Sequence, residues 1–228
     1  MKATKGITVG LACILIAGVI FLLPPEGAFA SGHTFGDIIR NAEGNPGDLS
    51  AQAALAREYN RRGEYGKALS VAKAILEESP GFPEAIIERA HAHRSLGEYR
   101  KSVEWYRRYL GTNPGSLEGW GGLSESLAHL EAWDESFGAA RAAIGAAPQS
   151  PDGYGALGRA YRIAGRFEEA ADLLKQGLRF GPERAPLLYD LGVCYVELGD
   201  RPSALSQYEK LLSVDQRSAD RLFNLIFP

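Results

Sequence analysis

The chain is 228 residues long, 45% apolar and 23% charged, with 25 basic residues against 28 acidic ones and two cysteines. That composition excludes wholesale disorder, a strongly basic surface for a nucleic-acid backbone, and a disulfide-stapled or four-cysteine zinc scaffold. The length suits one ordinary domain or one short repeat array.

Lys2 and Lys5 precede an uncharged run from Ile7 to Leu23, which Pro24 and Pro25 end; Ala28-Phe29-Ala30 then stands before Ser31. Small residues at the last and third-last positions suit the cleft of signal peptidase, so residues 1–30 are expected to be a signal peptide cut after Ala30. The alternative is an uncleaved N-terminal membrane anchor with the apolar run as its helix. Seventeen residues rise about 25 Å as a helix, short for a hydrocarbon core about 30 Å thick. Gly10-Leu11-Ala12-Cys13 has the look of a lipoprotein box, but only half an apolar stretch precedes that cysteine. The expected location is therefore periplasmic or exported, or else inner-membrane anchored with the bulk of the chain outside the cytoplasm. Membrane contact is confined to residues 7–23 if they are retained. Cleavage would leave Cys194 as the one cysteine, read as a small buried apolar residue or as a partner for an intermolecular disulfide.

Beyond the leader, Pro46, Pro80, Pro114, Pro148 and Pro182 recur every 34 residues. Other columns keep the same stride: Ala56, Ala90, Ser124, Gly158 and Gly192; Tyr59, His93, Leu127, Tyr161 and Tyr195; Ala68, Ser102, Ser136, Ala170 and Ala204. Gly63, Gly97, Gly165 and Gly199 mark a turn inside four of the five units. Apolar spacing within a unit is three and four, so each half reads as an amphipathic helix. In the fourth unit Tyr154, Leu157, Gly158 and Tyr161 line one helix, and Ala170, Leu173, Leu174 and Leu178 the next. Glycine ends the first helix of a unit and proline blocks continuation of the second. The fold class is all-α.

These residues resemble the tetratricopeptide repeat family. Tyr154, Leu157, Gly158, Tyr161, Ala170 and Pro182 carry its pattern in the fourth repeat; Trp120, Leu123 and Pro148 carry it in the third, and Leu188, Leu191, Gly192, Tyr195, Ala204 and Tyr208 in the fifth. Arg89 departs from the pattern where a leucine stands in the second repeat, and Gln216 where the terminal proline would be. The resemblance implies a right-handed α-solenoid of stacked helix-turn-helix pairs. Residues 31–48 would form a lone second helix and turn, 49–218 five repeats, and 219–228 a capping first helix, with Leu222, Leu225 and Ile226 on the slots of Leu188, Leu191 and Gly192. Phe223 and Phe227 would form an apolar edge there, read as imperfect capping or as a docking edge.

Residues 153–158 match the spacing GxGxxG, but lie inside a helix after Pro151 with no strand before them, so no dinucleotide cofactor is expected. His91 and His93 point about 200° apart on one helix and cannot share a metal. No metalloprotease, nucleophile-elbow, phosphate-loop or CxxC motif occurs, and Glu77-Glu78 and Glu168-Glu169 read as solvated helix faces. No catalytic residue, metal or cofactor is expected.

The family resemblance implies that the first helices line a concave groove for a peptide or partner helix. Its groove-facing slots fall on Arg57, Asn60 and Arg61, on His91 and Arg94, on Glu125 and His129, on Arg159 and Arg162, and on Tyr189 with Glu197. Five inward arginines suggest an acidic segment or a carboxylate held by bidentate contacts; their stems covering the groove with solvated heads is the other reading. The Lys and two Asn of the carboxylate-clamp subgroup are not present together. Gly121 and Gly155 occupy inward slots and leave room either for a ligand or for close packing of neighbouring helices. The expected function is a non-enzymatic protein-interaction scaffold of a bacterial envelope, the bacterial origin resting on the leader and on the lack of N-x-S/T sequons. An auxiliary subunit of an envelope enzyme or secretion complex, tethered by the N-terminal helix, is the alternative.

Overall fold

Each proline of the 34-residue stride lies one residue past the cap that closes an outer helix, where it stops the helix and aims the chain into the next unit. The structure is a computed structural model describing residues 34–228 and, before them, the backbone of Cys13–Ile16 (β1) and Val19–Leu22 (β2). Those two strands pair antiparallel, Cys13 opposite Leu22 and Ile16 opposite Val19. A helix is expected over this apolar run; Ile14, Ile16, Val19 and Ile20, all β-branched, favour the extended backbone instead. The remainder of residues 1–30, and so the leader and its cleavage point, lie outside the described residues. Among the described residues no helix is long and apolar enough to cross a membrane.

Helix α1 (Phe35–Gly44) stands alone, capped by Thr34, whose hydroxyl accepts from the Asp37 amide while the Asp37 carboxylate accepts from the Thr34 amide. Five hairpins follow. They are α2/α3 (Leu49–Arg61, Tyr65–Glu78), α4/α5 (Pro83–Ser95, Tyr99–Thr112), α6/α7 (Leu117–His129, Trp133–Ala146), α8/α9 (Pro151–Ile163, Phe167–Phe180) and α10/α11 (Ala185–Glu197, Arg201–Val214). α12 (Gln216–Ile226) closes the stack. Asp48, Ser116 and Ser150 cap first helices through their side-chain oxygens, and Pro83 and Pro151 open two of them, where a missing N–H costs nothing.

The turn within each hairpin needs one residue in the left-handed region. Gly63, Gly97, Gly165 and Gly199 supply it at φ of 72° to 77°, and in the third repeat Glu131 takes the same place at φ 59°. A side chain there costs roughly 1 kcal/mol. Glu131→Gly is therefore expected to raise stability by about that much, seen as a higher thermal midpoint; an unchanged or lower midpoint would show that the turn carries no strain.

The backbones of first helices come close to those of the first helices on either side, whereas second helices meet through side chains only, as where Arg107 on α5 pairs with Glu135 on α7. The stack therefore curves, with α2, α4, α6, α8 and α10 on the inside. Close pairing within a hairpin depends on the small column: Ala56, Ala90 and Ser124 are fully buried, and a Cβ on Gly158 would lie 2.8 Å from Leu174. Ser102 and Ser136, buried in the alanine column, satisfy their hydroxyls by donating to the Ala90 and Ser124 carbonyls at 3.1 and 2.8 Å. Cys194 is free and fully buried, and burial pushes its thiol up to about 12.

The C-terminal helix differs from expectation. It starts at Gln216, directly after Asp215, which closes α11 and caps α12 in one step. Leu222 and Ile226 are buried on the slots of Leu188 and Gly192, as expected, with Ala219 beside them, while Leu225 is 44% exposed instead of filling the slot of Leu191. Arg217, Asp220, Arg221 and Asn224 share the outward face, so the stack ends on a polar surface. Phe223 and Phe227 lie on its flank, their rings tilted against one another, and Phe223 also packs against Tyr208.

Candidate functional site: the concave groove

The inner layer carries a run of ion pairs that joins one repeat to the next. The Arg57 Nε donates to Glu88 Oε1 at 2.7 Å, and Asn60 Nδ2 donates at 2.9 Å both to Glu88 Oε2 and to the Glu88 carbonyl. Glu88 is 2% exposed. Burial pushes its carboxyl up, yet the nearby His91 imidazole, 3.7 Å away, and the hydrogen bonds from Asn60 and Arg57 outweigh burial and hold it below the usual range. One repeat on, Arg94 Nη1 lies 3.1 Å from Glu125 Oε2, and Arg159 Nε approaches the same oxygen at 3.6 Å. Arg159 Nη1 and Arg162 Nε then flank the buried Asp190 at 3.4 and 3.2 Å. Burial pushes the Asp190 carboxyl up against the pull of both guanidinium groups.

Three of these pairs, Arg57 to Glu88, Arg94 to Glu125 and Arg159 to Asp190, span 31 residues, one repeat less about one helical turn. A side chain leans toward the N-terminus of its own helix, so the acceptor on the next helix lies about one turn earlier than strict register. The groove arginines thus enter already matched. Arg61, 75% exposed, pairs with Glu58 on its own helix. Each of the five has a carboxylate partner, while the Arg57 and Arg61 side chains stay largely solvated.

Between α4, α6, α8 and α10 lies a cavity of about 420 Å³. His91, Arg94, Glu118 and Arg159 give it polar walls, Leu117 and Leu187 apolar ones, and Gly121 and Gly122 part of its lining. His91 Nε2 sits 3.4 Å from Glu118 Oε1. The two candidate glycines separate. A Cβ on Gly121 would meet only Ala156, at an ordinary 3.6 Å, so its slot adjoins open space. A Cβ on Gly155 would lie 2.8 Å from Leu187, so Gly155 is there for close helix packing and leaves no room for a ligand.

Other expected groove residues lie elsewhere or act otherwise. His129 stacks on Tyr99 at 4.3 Å between centroids, and burial holds its imidazole below the ordinary value. Tyr189 lies beneath the Arg221 guanidinium at 4.6 Å, part of the C-terminal cluster. Glu88 and Asp190 are the residues that sequence reasoning missed, though the 31-residue offset between opposite charges was there to find. Among the described residues no three His, Cys, Asp or Glu side chains converge as a metal site requires.

Three family models of the tetratricopeptide repeat match residues 49–92, 87–151 and 161–226. The chain belongs to the tetratricopeptide repeat family, whose fold is that of a protein-interaction scaffold. Among solved structures it is similar to a thermophilic tetratricopeptide repeat protein of Thermus thermophilus, at 22% identity over 79% of this chain and 100% of that one, with a TM-score of 0.72. A tetratricopeptide repeat protein from Parabacteroides merdae ATCC 43184 is similar at 17% identity, 84% and 79% coverage and a TM-score of 0.66. YrrB, a tetratricopeptide repeat protein with an unusual peptide-binding site, is similar at 17% identity, 84% and 100% coverage and a TM-score of 0.52. At these identities the likeness is one of fold. The chain matches no curated protein sequence.

Proposed function

We propose that this protein is a non-enzymatic scaffold that holds an extended segment of a partner polypeptide in its concave groove. The observation that carries the reading is the cavity beside Gly121, where four successive first helices leave about 420 Å³ unfilled, with donors and acceptors on its walls. Peptide binding by a protein of the same fold, YrrB, agrees with it. Because Glu88, Glu125 and Asp190 already neutralise the inner arginines, the segment is read through backbone polar groups and one inserted side chain. An acidic segment would have to displace those carboxylates, and its binding would fall steeply with salt. Binding that changes little between low and high salt supports the backbone mode.

Selection of a displayed peptide library against the full chain, followed by Gly121→Ala, tests this. The substitution is expected to raise stability by about 1 kcal/mol, as alanine does over a mid-helix glycine, and to weaken the selected peptide at least tenfold. Undiminished binding would remove the groove reading.

The charged, apolar and small-residue segments of residues 1–30 favour export and an envelope setting, where such a scaffold gathers partners or serves as an auxiliary subunit of an enzyme or secretion complex. A mass measurement on the protein isolated from its own cell decides between a chain beginning at Ser31 and one that keeps the leader as a tether.

A further inference from the structure

The second repeat breaks its own pattern on the side away from the groove. At one slot of the first helix, Leu55, Leu123, Leu157 and Leu191 are buried in the core; the second repeat has Arg89. Its guanidinium lies 4.3 Å from the centre of the Trp105 ring on α5, and that of Arg108 lies 5.0 Å from the same centre. Trp105 is the one ring among the described residues that carries two guanidinium groups. Arg108 also donates to the Pro80 carbonyl. Neither arginine has a carboxylate within 4 Å among the described residues, and the Arg89 Nε is buried with no hydrogen-bond partner. One repeat later the equivalent slots hold Leu123 and Ala139, and both line an open cleft of about 440 Å³ between α5 and α7. In the second repeat, Arg89 and Trp105 fill the corresponding space between α3 and α5.

Two cations held against one ring without a counter-ion repel each other, and an unpaired guanidinium in a leucine slot leaves a buried donor unsatisfied. We infer that Arg89, Trp105 and Arg108 form a second docking point, on the convex face, that takes a carboxylate side chain from an acidic segment of a partner polypeptide. The carboxylate accepts from both guanidinium groups, and Trp105 gives its neighbouring methylenes an apolar platform. A scaffold with one segment in its groove and an acidic one on its back holds two partners at once.

Isothermal titration of the full chain with a glutamate hexapeptide, blocked at both ends, tests this. Saturable binding is expected at low salt, weakened at least tenfold by Arg89→Leu and by Arg108→Gln. Arg89→Leu restores the residue of the other four repeats and so keeps the fold. Equal binding by wild type and Arg89→Leu, or no binding by wild type, would overturn the assignment. An equal, saturable response to inorganic phosphate would overturn its polypeptide character.

Discussion

Replacing Glu88 with alanine is expected to cost the fold about 2–3 kcal/mol, the usual loss when a buried charged acceptor and its hydrogen bonds are removed, because the Arg57 side chain left behind is 57% exposed and stays hydrated. The carboxylate accepts from Arg57 and Asn60, both on the preceding first helix, so its loss leaves Asn60 only the Glu88 carbonyl as acceptor and leaves Arg57 unpaired at the junction of two repeats. Glu88→Gln keeps the shape and can still accept from Asn60; a smaller loss is expected. The pH dependence has a fixed sign. Because the folded carboxyl titrates below its ordinary value of 4.5, its stabilisation is complete above that pH and disappears as the pH falls through the folded value. Urea midpoints of wild type and Glu88→Gln should thus converge in acid and separate above pH 5. A constant gap, or a loss under 1 kcal/mol for Glu88→Ala, would show that the pair contributes nothing across the junction.

The second large effect is steric. Tyr106, fully buried on α5, drives its ring against α6 so closely that a Cβ on Gly122 would lie 2.1 Å from its Cζ and 2.3 Å from its hydroxyl. No real contact is that short, and the obstacle is a packed ring. Gly122→Ala is expected to destabilise by about 3 kcal/mol, at the upper end for overpacking, despite the better helix propensity of alanine. Tyr106→Leu removes the ring and is itself costly. In the double variant, however, Gly122→Ala should cost far less than in wild type, a coupling of about 1–3 kcal/mol. Simple addition of the two losses in denaturant unfolding would mean that the helices part freely there and that Gly122 is no packing requirement.

Gly121 and Gly122 show what the sequence could and could not say. They are adjacent glycines of one inner helix, and only the neighbour each faces, Ala156 for one and Tyr106 for the other, divides them into a free slot and a filled one. The stack itself was legible because turns obey local rules: a proline after every second helix but α11 and a left-handed residue within each hairpin. Glu131 escaped because its turn is imposed by the flanking helices and not by glycine. The ion-pair run escaped because a column compares like slots, whereas Arg57 and Glu88 meet on a diagonal between helices. α12 starts ahead of the 34-residue stride because the chain skips the turn after α11, and Asp215 does two jobs in one residue. In each case the missing information lay in contact between elements.

The most direct test of the central claim is hydrogen exchange on the full chain with and without a library-selected peptide. Added protection is expected along α4, α6, α8 and α10, the four first helices that line the cavity beside Gly121, with the outer helices α5 and α7 unchanged. Protection confined to the outer helices, or a selection that returns no peptide, would contradict the account.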